Sequence, residues 1–255
     1  MGRCSLTVAL PVLSAMGHNC CVLPTAVLST HTGFPAPHVR DLTGDLDAIL
    51  AHWHGIGVTF DAISIGYLSD PAQAEAVKRI LDAFPEATVV LDPVMGDHGK
   101  LYSRITNAHV DALRQLCTYA DHILPNVTEA AALTGLPYRE QADKGYLTEL
   151  IQAMLRFTKQ SVIITGGSCS AGKTGFAGAS KEIGDFHYQA PLIPRQFHGT
   201  GDLFSAVFTG GIARSEDVVT AVTKAAQFVE RCIAATEEVT PYGVAFESQL
   251  PYLFP

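Results

Sequence analysis

Charged residues are scarce in this chain of 255 residues: they make up 16%, against 47% hydrophobic residues. Basic residues are the rarer sign, with 17 Lys and Arg against 25 Asp and Glu, and the formal net charge is −8. This balance argues against a nucleic-acid binder, which would need a basic surface. The high hydrophobic content argues against disorder and predicts a compact fold with a deeply buried core.

Long apolar runs and paired cysteines are also missing. No run approaches 18 uninterrupted apolar residues, so we expect no membrane span, and no basic start of a signal peptide is present. The six cysteines show no CxxC spacing, and most have apolar neighbours. We therefore predict reduced thiols in a cytoplasmic protein, with Cys20 and Cys21 in the core of a strand.

What the sequence does contain is an alternation of short apolar runs with helical periodicity, which is typical of a parallel βα sheet. The length suits one large α/β domain over residues 1–255. The pattern predicts strands over residues 20–23, 62–66, 88–91, 122–124 and 161–164. It predicts helices over residues 6–16, 46–53, 70–84 and 147–155, and a last long helix that begins at Ser215 with Val218 and Val219 facing inward.

Two stretches interrupt this alternation. Residues 172–190 are rich in glycine and contain short period-2 pieces, which predicts an antiparallel meander or flap. Residues 29–40 contain His31, Thr32, Gly33 and two prolines, which predicts a loop at the end of a strand.

The most informative motif is Gly199-Thr200-Gly201-Asp202, followed at once by an apolar helical run. The glycines let backbone N–H groups turn inward, and the helix behind them adds its positive dipole end, so the turn can hold a phosphate. Asp202 would then lie at the mouth of an anion site, where a carboxylate can take a proton from an attacking hydroxyl. The alternative is a glycine-rich loop in which Asp202 merely caps the helix.

Polar residues also follow three of the predicted strands, where ligands bind in such folds. Asp92 and Asp97 flank a Pro/Gly turn and can converge on hydrated Mg²⁺, although such turns are usually only solvated. Asn126 and Glu129 share one face of a helix start and point to the same crevice, or they cap that helix. The run Thr165-Gly166-Gly167 offers a hydroxyl and flexible backbone to nucleotide phosphates.

The order of these motifs resembles the ribokinase-like superfamily and, within it, the pyridoxal (vitamin B6) kinases. The specific motifs are Asp-Pro-Val-Met-Gly-Asp at 92–97 with Gly-Lys-Leu-Tyr at 99–102, Ser-Thr-His-Thr-Gly at 29–33, and Phe-His before the Gly-Thr-Gly-Asp turn. The resemblance covers practically the whole chain. It implies a three-layer sandwich in which a mostly parallel central sheet is flanked by helices.

The resemblance also implies roles for these residues. Asp202 would be the base that activates the 5′-hydroxymethyl group of pyridoxal, pyridoxine or pyridoxamine, and the backbone of Gly199, Thr200 and Gly201 would form the anion hole. Asp97 and Glu129 would hold Mg²⁺, directly or through water. The ATP side would comprise Asp92, Asn126, Thr165, Gly166, Thr200 and Gly201. Thr32 and Tyr67 would contact the vitamer, and His31 either forms a pocket wall or packs its loop.

The resemblance further implies a homodimer with ATP as co-substrate, and leaves a monovalent-cation requirement open. The chain departs from the family at its start, because Met1-Gly2-Arg3-Cys4-Ser5 looks like the end of the turn that follows the family's first strand. We therefore expect an N-terminally truncated sequence in which that first strand is missing. The alternative is a shortened protein with a gap in its sheet.

Two rival functions remain open. A hydroxymethylpyrimidine kinase of thiamin synthesis shares the fold and the Asp-Pro-Val-Met run, but usually has no Asp after Gly-Thr-Gly, so Asp202 speaks against it. A non-catalytic B6-binding protein of the same fold is the rival from another class. The retention of Asp97, Asn126, Glu129 and Asp202 counts against it.

Overall fold

The computed structural model describes residues 2–167 and 172–255, and the chain divides into two compact units. Met1–Arg40 and Ile193–Pro255 together form one unit, called here the terminal unit, and Asp41–Leu192 form the other, the central unit. Cys169, one of the six cysteines predicted to be reduced thiols, lies outside the described residues. The prediction of a single domain stays a prediction.

The helices and strands follow the chain in the order that the sequence pattern suggests. The helices are α1 (Leu6–Ala15), α2 (Thr43–Gly55), α3 (Gln73–Ala83), α4 (Asn107–Cys117), α5 (Val127–Thr134), α6 (Lys144–Leu155), α7 (Thr200–Ala213), α8 (Val218–Ala235) and a 3-10 helix at Glu247–Leu253. The strands are β1 (Ala26–Leu28), β2 (Val39–Asp41), β3 (Ala62–Ile65), β4 (Thr88–Leu91), β5 (Gly96–Asp97), β6 (Lys100–Leu101), β7 (His122–Ile123), β8 (Ser161–Thr165), β9 (Lys173–Ser180) and β10 (Gly184–Pro191). No helix in the described part of the chain is long and apolar enough to cross a membrane.

The central unit contains a six-stranded sheet in the order β10-β9-β8-β7-β4-β3. The pairings β3–β4, β4–β7 and β7–β8 are parallel, whereas β8–β9 and β9–β10 are antiparallel. The predicted α/β class and the mostly parallel sheet are therefore confirmed. The expected meander is also confirmed, because β9 and β10 pair along their full length from Gly184 opposite Ser180 to Pro191 opposite Lys173.

The core of the central unit forms where α3 to α6 pack against this sheet. Parallel strands covered by helices read as continuous apolar runs, and Val90, Leu91 and Ile164 are fully buried. The helix faces predicted from periodicity are buried as expected, including Val77, Ile80 and Leu81 of α3 and Leu147, Leu150, Ile151 and Met154 of α6.

The terminal unit is built from α1, α7, α8 and the 3-10 helix, together with the two-stranded β1–β2 ribbon, whose last residue, Asp41, belongs to the central unit. Helix α1 lies close to α7 because Gly210 has no side chain, and a Cβ there would meet the Met16 sulfur. The predicted loop at residues 29–40 follows β1, although its last residues belong to β2. Glycine at position 210 therefore sets how near the first helix lies to the helix of the Gly-Thr-Gly-Asp motif.

Three predictions on the fold are wrong. Residues 20–23 form no strand, and Cys21 and Val22 are exposed, because an apolar run becomes a strand only where a neighbour supplies a hydrogen-bonded ladder. Helix α8 begins at Val218 instead of Ser215, since the Asp217 carboxylate caps it by accepting the Thr220 amide at 3.0 Å, and Val219 faces solvent. Helix α3 begins at Gln73, after a turn in which Asp70 accepts the Ala72 amide at 2.8 Å.

Candidate active site

In the terminal unit, the Gly-Thr-Gly-Asp turn opens directly into α7, which begins at Thr200. The first intrahelical bond runs from the Leu203 amide to the Gly199 carbonyl at 3.0 Å. The amides of Thr200, Gly201 and Asp202 therefore lie in the first turn, where helix geometry gives them no carbonyl to bond within the helix. Residues 199–202, called here the anion turn, thus offer backbone N–H groups at the positive end of a helix dipole.

Asp202 lies in the first turn of α7 and is half-buried. Burial raises the pKa of its carboxyl group, while the Ser5 backbone amide, which donates to it, and the nearby His31 act in the opposite direction. Burial, together with the Asp202 charge, raises the pKa of the Cys4 thiol to about 11. A carboxylate whose pKa is raised is a better proton acceptor, because its affinity for a proton approaches that needed near neutral pH.

The anion turn is held in place by two segments that are distant from it in the sequence. Gly199 has a φ of 84°, and a Cβ there would overlap the Arg3 carbonyl oxygen. The Val244 amide donates to the His198 carbonyl at 3.0 Å, and the Arg3 amide donates to the Tyr242 carbonyl at 2.7 Å. Residues 2–5, called here the N-terminal segment, and residues 240–244, called the anchor loop, therefore fix the backbone of the turn.

The anchor loop also holds the His-Thr-Gly loop. His31 Nε2 lies 2.7 Å from the Pro241 carbonyl, and the Gly33 amide donates to His31 Nδ1 at 3.1 Å. These partners assign the proton to Nε2, since a carbonyl only accepts and an amide only donates. The His31 ring also lies 4.3 Å from the His198 ring and 4.8 Å from that of Phe34.

His31 is thus a loop-packing residue, which was one of the two alternatives for it. Its contact with a vitamer, and that of the half-buried Thr32 beside it, stay predictions. Burial lowers the pKa of His198, which directly precedes the anion turn, and the nearby His31 lowers it further.

In the central unit, the sheet brings the polar strand ends together. The Leu124 amide donates to the Leu91 carbonyl and the Thr165 amide to the Pro125 carbonyl, both at 2.9 Å. Asn126 and Thr165 form a parallel bridge. Asp92, Asn126 and Thr165 therefore lie at the carboxyl ends of three adjacent parallel strands, β4, β7 and β8.

The first turn of α5 holds the loop that carries Asp97. Asn126 Nδ2 donates to the Gly96 carbonyl at 2.8 Å, and Thr128 Oγ1 accepts the Gly99 amide at 2.9 Å. Glu129 Oε1 accepts the Met95 amide at 3.0 Å. Residues 92–99, called here the aspartate loop, are thus anchored by three side chains from a single helical turn.

Asn126 and Glu129 also cap α5, which was the alternative to a purely functional role. Asn126 Oδ1 accepts the Glu129 amide at 3.0 Å, and Glu129 Oε2 accepts the Asn126 amide at 2.8 Å, which is a capping box. Glu129 is only 4% exposed, and burial, followed by the Asp97 charge, raises its pKa to about 8 against the opposing backbone hydrogen bonds. Asp97 itself is exposed and bonds the His98 amide at 2.8 Å.

Tyr67 lies two residues after β3 and packs against the core of the central unit. Burial raises the pKa of its hydroxyl, although Arg104 bonds it and lowers that pKa. Gly166 is exposed after β8 with a φ of 69°. Their predicted contacts, with the vitamer and with ATP, stay predictions.

Several residues that shape these regions carry no sequence signal. Ser5 and the anchor loop act through backbone groups, which most residue types offer, and the side-chain bonds of Arg3 to Gly243 and Glu247 correspond to no motif in the sequence. Thr128 could have been found from its position two residues after Asn126, because the first turn of a helix often bonds an incoming loop.

A helix N-terminus that can bind an anion, with a carboxylate in its first turn, together with polar ends of parallel strands, defines the class of an α/β phosphotransferase. The comparisons agree with this class. The chain belongs to the phosphomethylpyrimidine kinase family, whose model matches residues 12–245.

Among its relatives, a pyridoxal kinase of Corynebacterium diphtheriae is 30% identical over 241 residues, which cover 88% of this chain and 81% of that protein. The crystal structure of pyridoxal kinase from Lactobacillus plantarum matches with a TM-score of 0.91 and 34% identity, over 99% of this chain and 92% of that one. A crystal structure from Bacteroides thetaiotaomicron with pyridoxal matches with a TM-score of 0.94 and 36% identity, over 99% and 91% of the two chains. The resemblance to ribokinase-like B6 kinases is thereby confirmed.

Proposed function

We propose that this chain transfers a phosphoryl group from ATP to the 5′-hydroxymethyl group of a vitamin B6 vitamer, in the salvage of pyridoxal 5′-phosphate. The observation that carries the proposal is Asp202 in the first turn of α7, beside amides that can hold an anion. The relatives named as pyridoxal kinases support the same activity. Pyridoxal, pyridoxine and pyridoxamine all present the required hydroxyl.

The chemical step needs one base and one anion site. Asp202 takes the proton of the 5′-hydroxyl as its oxygen attacks the γ-phosphorus, and the bond between that phosphorus and the ADP oxygen breaks. The proton ends on the Asp202 carboxylate. The amides of the anion turn stabilise the charge that develops on the transferring group, which catalyses the transfer without further covalent chemistry.

Magnesium is the metal that this family of reactions implies, and the residues of the central unit fit it. Mg²⁺ takes few protein oxygens and keeps most of its waters, and the exposed Asp97 offers one carboxylate. Glu129, with both oxygens on backbone amides, would act through water or through Asp97. Bound there, the ion would offset the negative charge of the ATP phosphates.

The remaining assignments follow from position. In the central unit, Asp92, Asn126, Thr165 and Gly166, near the strand ends, would face the ATP phosphates. In the terminal unit, the amides of Thr200 and Gly201 would bind phosphate oxygens. His31, Thr32 and Tyr67 would serve the vitamer. Thr200 and Gly201 lie in the first turn of α7, and the other residues lie at strand ends or in loops, where ligands bind in such sheets.

A coupled assay of ADP release tests the proposal across pyridoxal, pyridoxine, pyridoxamine and hydroxymethylpyrimidine. We expect turnover with at least one B6 vitamer and a loss of kcat on the order of 10²–10⁴-fold in Asp202→Asn, with ATP binding retained. A mutant within tenfold of the parent would remove Asp202 from the role of base. Absence of turnover with every vitamer, in a folded protein that binds them, would favour the non-catalytic rival.

The second candidate function is phosphorylation of hydroxymethylpyrimidine, which the name of the matching family favours. The same assay separates the two, because one substrate should show the higher kcat/KM by a wide margin. Asp202 weighs against this candidate, because hydroxymethylpyrimidine kinases usually have no Asp after Gly-Thr-Gly.

A cytoplasmic homodimer completes the proposal. All five described cysteines are free thiols, which suits a reducing compartment. Size-exclusion chromatography with light scattering measures the mass of the protein in solution. A monomer mass would show that the proposed dimer does not form.

A further inference from the structure

The N-terminal segment lies against both functional parts of the anion turn. Its Arg3 carbonyl occupies the space beside Gly199 that a side chain would need. Its Ser5 amide donates to the Asp202 carboxylate. The backbone on one side of the anion hole and the partner of the base therefore come from the same short stretch of chain.

Arg3 is the residue that fastens this stretch. Its amide donates to Tyr242, its Nη1 to the Gly243 carbonyl at 3.4 Å, and its Nε to Glu247 Oε1 at 2.6 Å. Gly243 is buried with a φ of 94°, and a Cβ there would lie 2.8 Å from the His198 carbonyl. The anchor loop thus contacts Arg3 on one side and the residue before the anion turn on the other.

We propose that Arg3 is a positioning residue for Asp202, acting through the Ser5 amide and the Arg3 carbonyl, and that Glu247 holds its guanidinium for this purpose. The inference rests on the proposed role of Asp202 as the base. An exposed ion pair contributes little to stability, since its charges are screened by water, and the Arg3 and Glu247 side chains are 34% and 54% exposed. The expected consequence is therefore on catalysis, because a small displacement of a reacting group lowers the rate strongly.

The experiment measures kcat, KM and the pH profile in Arg3→Ala and Glu247→Gln. We expect kcat to fall about tenfold, with both KM values nearly unchanged, because the misplaced group acts in the chemical step. The acid limb of kcat should move to higher pH, since a carboxylate that loses an amide donor binds its proton more tightly. Arg3→Lys, which keeps the charge, should recover part of the rate.

Other titratable groups face Asp202, and they must be excluded as the source of a shift in the pH profile. These are the Cys4 thiol and the His31 imidazole, with the His198 ring 4.3 Å from that of His31. The shift should therefore persist in Cys4→Ser and His31→Gln backgrounds. A shift that disappears in either background would assign it to that group and overturn the proposal.

The matched control is Arg79, whose Nη2 lies 2.8 Å from Asp47 on an exposed pair of the central unit. Arg79→Ala should leave kcat and the pH profile unchanged. If Asp202→Asn is inactive but Arg3→Ala keeps the parent rate and profile, the positioning role is wrong and the base remains. If Asp202→Asn stays active, the proposed base fails instead. A loss of kcat in Arg3→Ala or Glu247→Gln without a shifted profile would mean a merely structural role.

Discussion

The anion turn of the terminal unit and the aspartate loop of the central unit are stabilised in different ways. In the terminal unit, the anion turn is fixed by backbone groups of the N-terminal segment and the anchor loop. The N-terminal segment lies about 200 residues before the turn in the sequence, and the anchor loop lies more than 35 residues after it. In the central unit, the aspartate loop is fixed by the side chains of Asn126, Thr128 and Glu129, which come from one turn of α5. The first region depends on close backbone approach, and the second depends on particular side chains.

This difference determines which substitutions each region tolerates. Where backbones are in contact, the residue that matters is the one without a side chain, and an added methyl group is harmful. Where side chains hold a loop, removal of a side chain is harmful, because the loop then loses hydrogen bonds that it cannot replace locally. Three substitution experiments separate the regions on this basis.

The largest effect is expected for Gly199→Ala. Alanine at a φ of 84° is strained, and its Cβ would overlap the Arg3 carbonyl, so we expect a loss of about 3 kcal/mol in the free energy of unfolding. The kcat should fall at least ~100-fold, as when an anion-hole donor is lost. Urea denaturation and the ADP-release assay measure the two effects.

The control is Gly201→Ala, two residues along in the same turn. A Cβ there meets nothing within 4 Å, so stability should be unchanged or raised by up to about 1 kcal/mol. Equal destabilisation by the two substitutions would mean that the backbone contact with Arg3 does not govern the turn.

Acid should weaken the central unit through His122. This histidine is 2% exposed beside Ser161 Oγ at 2.8 Å, and burial lowers its pKa from 6.5 to about 4. The unfolded chain binds the extra proton below pH 6.5 and the folded chain only near pH 4, so stability falls as the pH drops between these values. At pH 5 the loss is about 2 kcal/mol.

Hydrogen exchange, corrected for intrinsic rates, should therefore show β7 and β8 losing more protection than α7 between pH 7.5 and pH 5. In His122→Gln this difference should shrink, while exchange in the exposed-site control His54→Gln should match the parent. The same loss in His122→Gln as in the parent would assign the acid effect to another group.

The smallest effect is expected for Asn126→Ala, with Asp143→Ala as its matched control. Asn126 caps α5 and Asp143 caps α6 by accepting the Tyr146 amide at 2.8 Å, so each change should cost about 1 kcal/mol of stability. Only Asn126 also bonds the Gly96 carbonyl. Asn126→Ala alone should raise the KM for ATP several-fold, and an equal rise in Asp143→Ala would contradict the anchoring role.

The contrast between the regions also explains what the sequence could predict. Strands β4 and β8 were predicted because Val, Ile and Leu run continuously where both faces of a parallel strand are buried. The anion turn was predicted because it depends on a particular residue type, glycine at positions 199 and 201, which is visible in the sequence. The anchor loop was missed because it acts through backbone amides and carbonyls, which nearly every residue type possesses. Arg3 was missed because its side-chain partners, Gly243 and Glu247, are 240 and 244 positions away in the sequence.

The strand that was wrongly predicted at residues 20–23 shows a second limit of prediction from the sequence. Cys20, Cys21 and Val22 have the composition of a buried strand, yet Cys21 and Val22 are exposed and no ladder forms there. The composition of a segment indicates whether its side chains can be buried. Which neighbour is present to bury it is a property of the whole fold.

The anchoring of the aspartate loop by α5 also bears on how these sequences diverge. Gly96 and Asn126 are 30 positions apart, and Gly99 and Thr128 are 29 apart, yet each pair shares a hydrogen bond. An apolar replacement at Asn126 or Thr128 would leave the Gly96 carbonyl or the Gly99 amide without that partner, whereas a replacement at position 96 or 99 by any residue except proline keeps the backbone group. The aspartate loop therefore depends on the residue types at 126–129, and a chimera that exchanges residues 126–129 for apolar ones would lose all three side-chain hydrogen bonds to the loop.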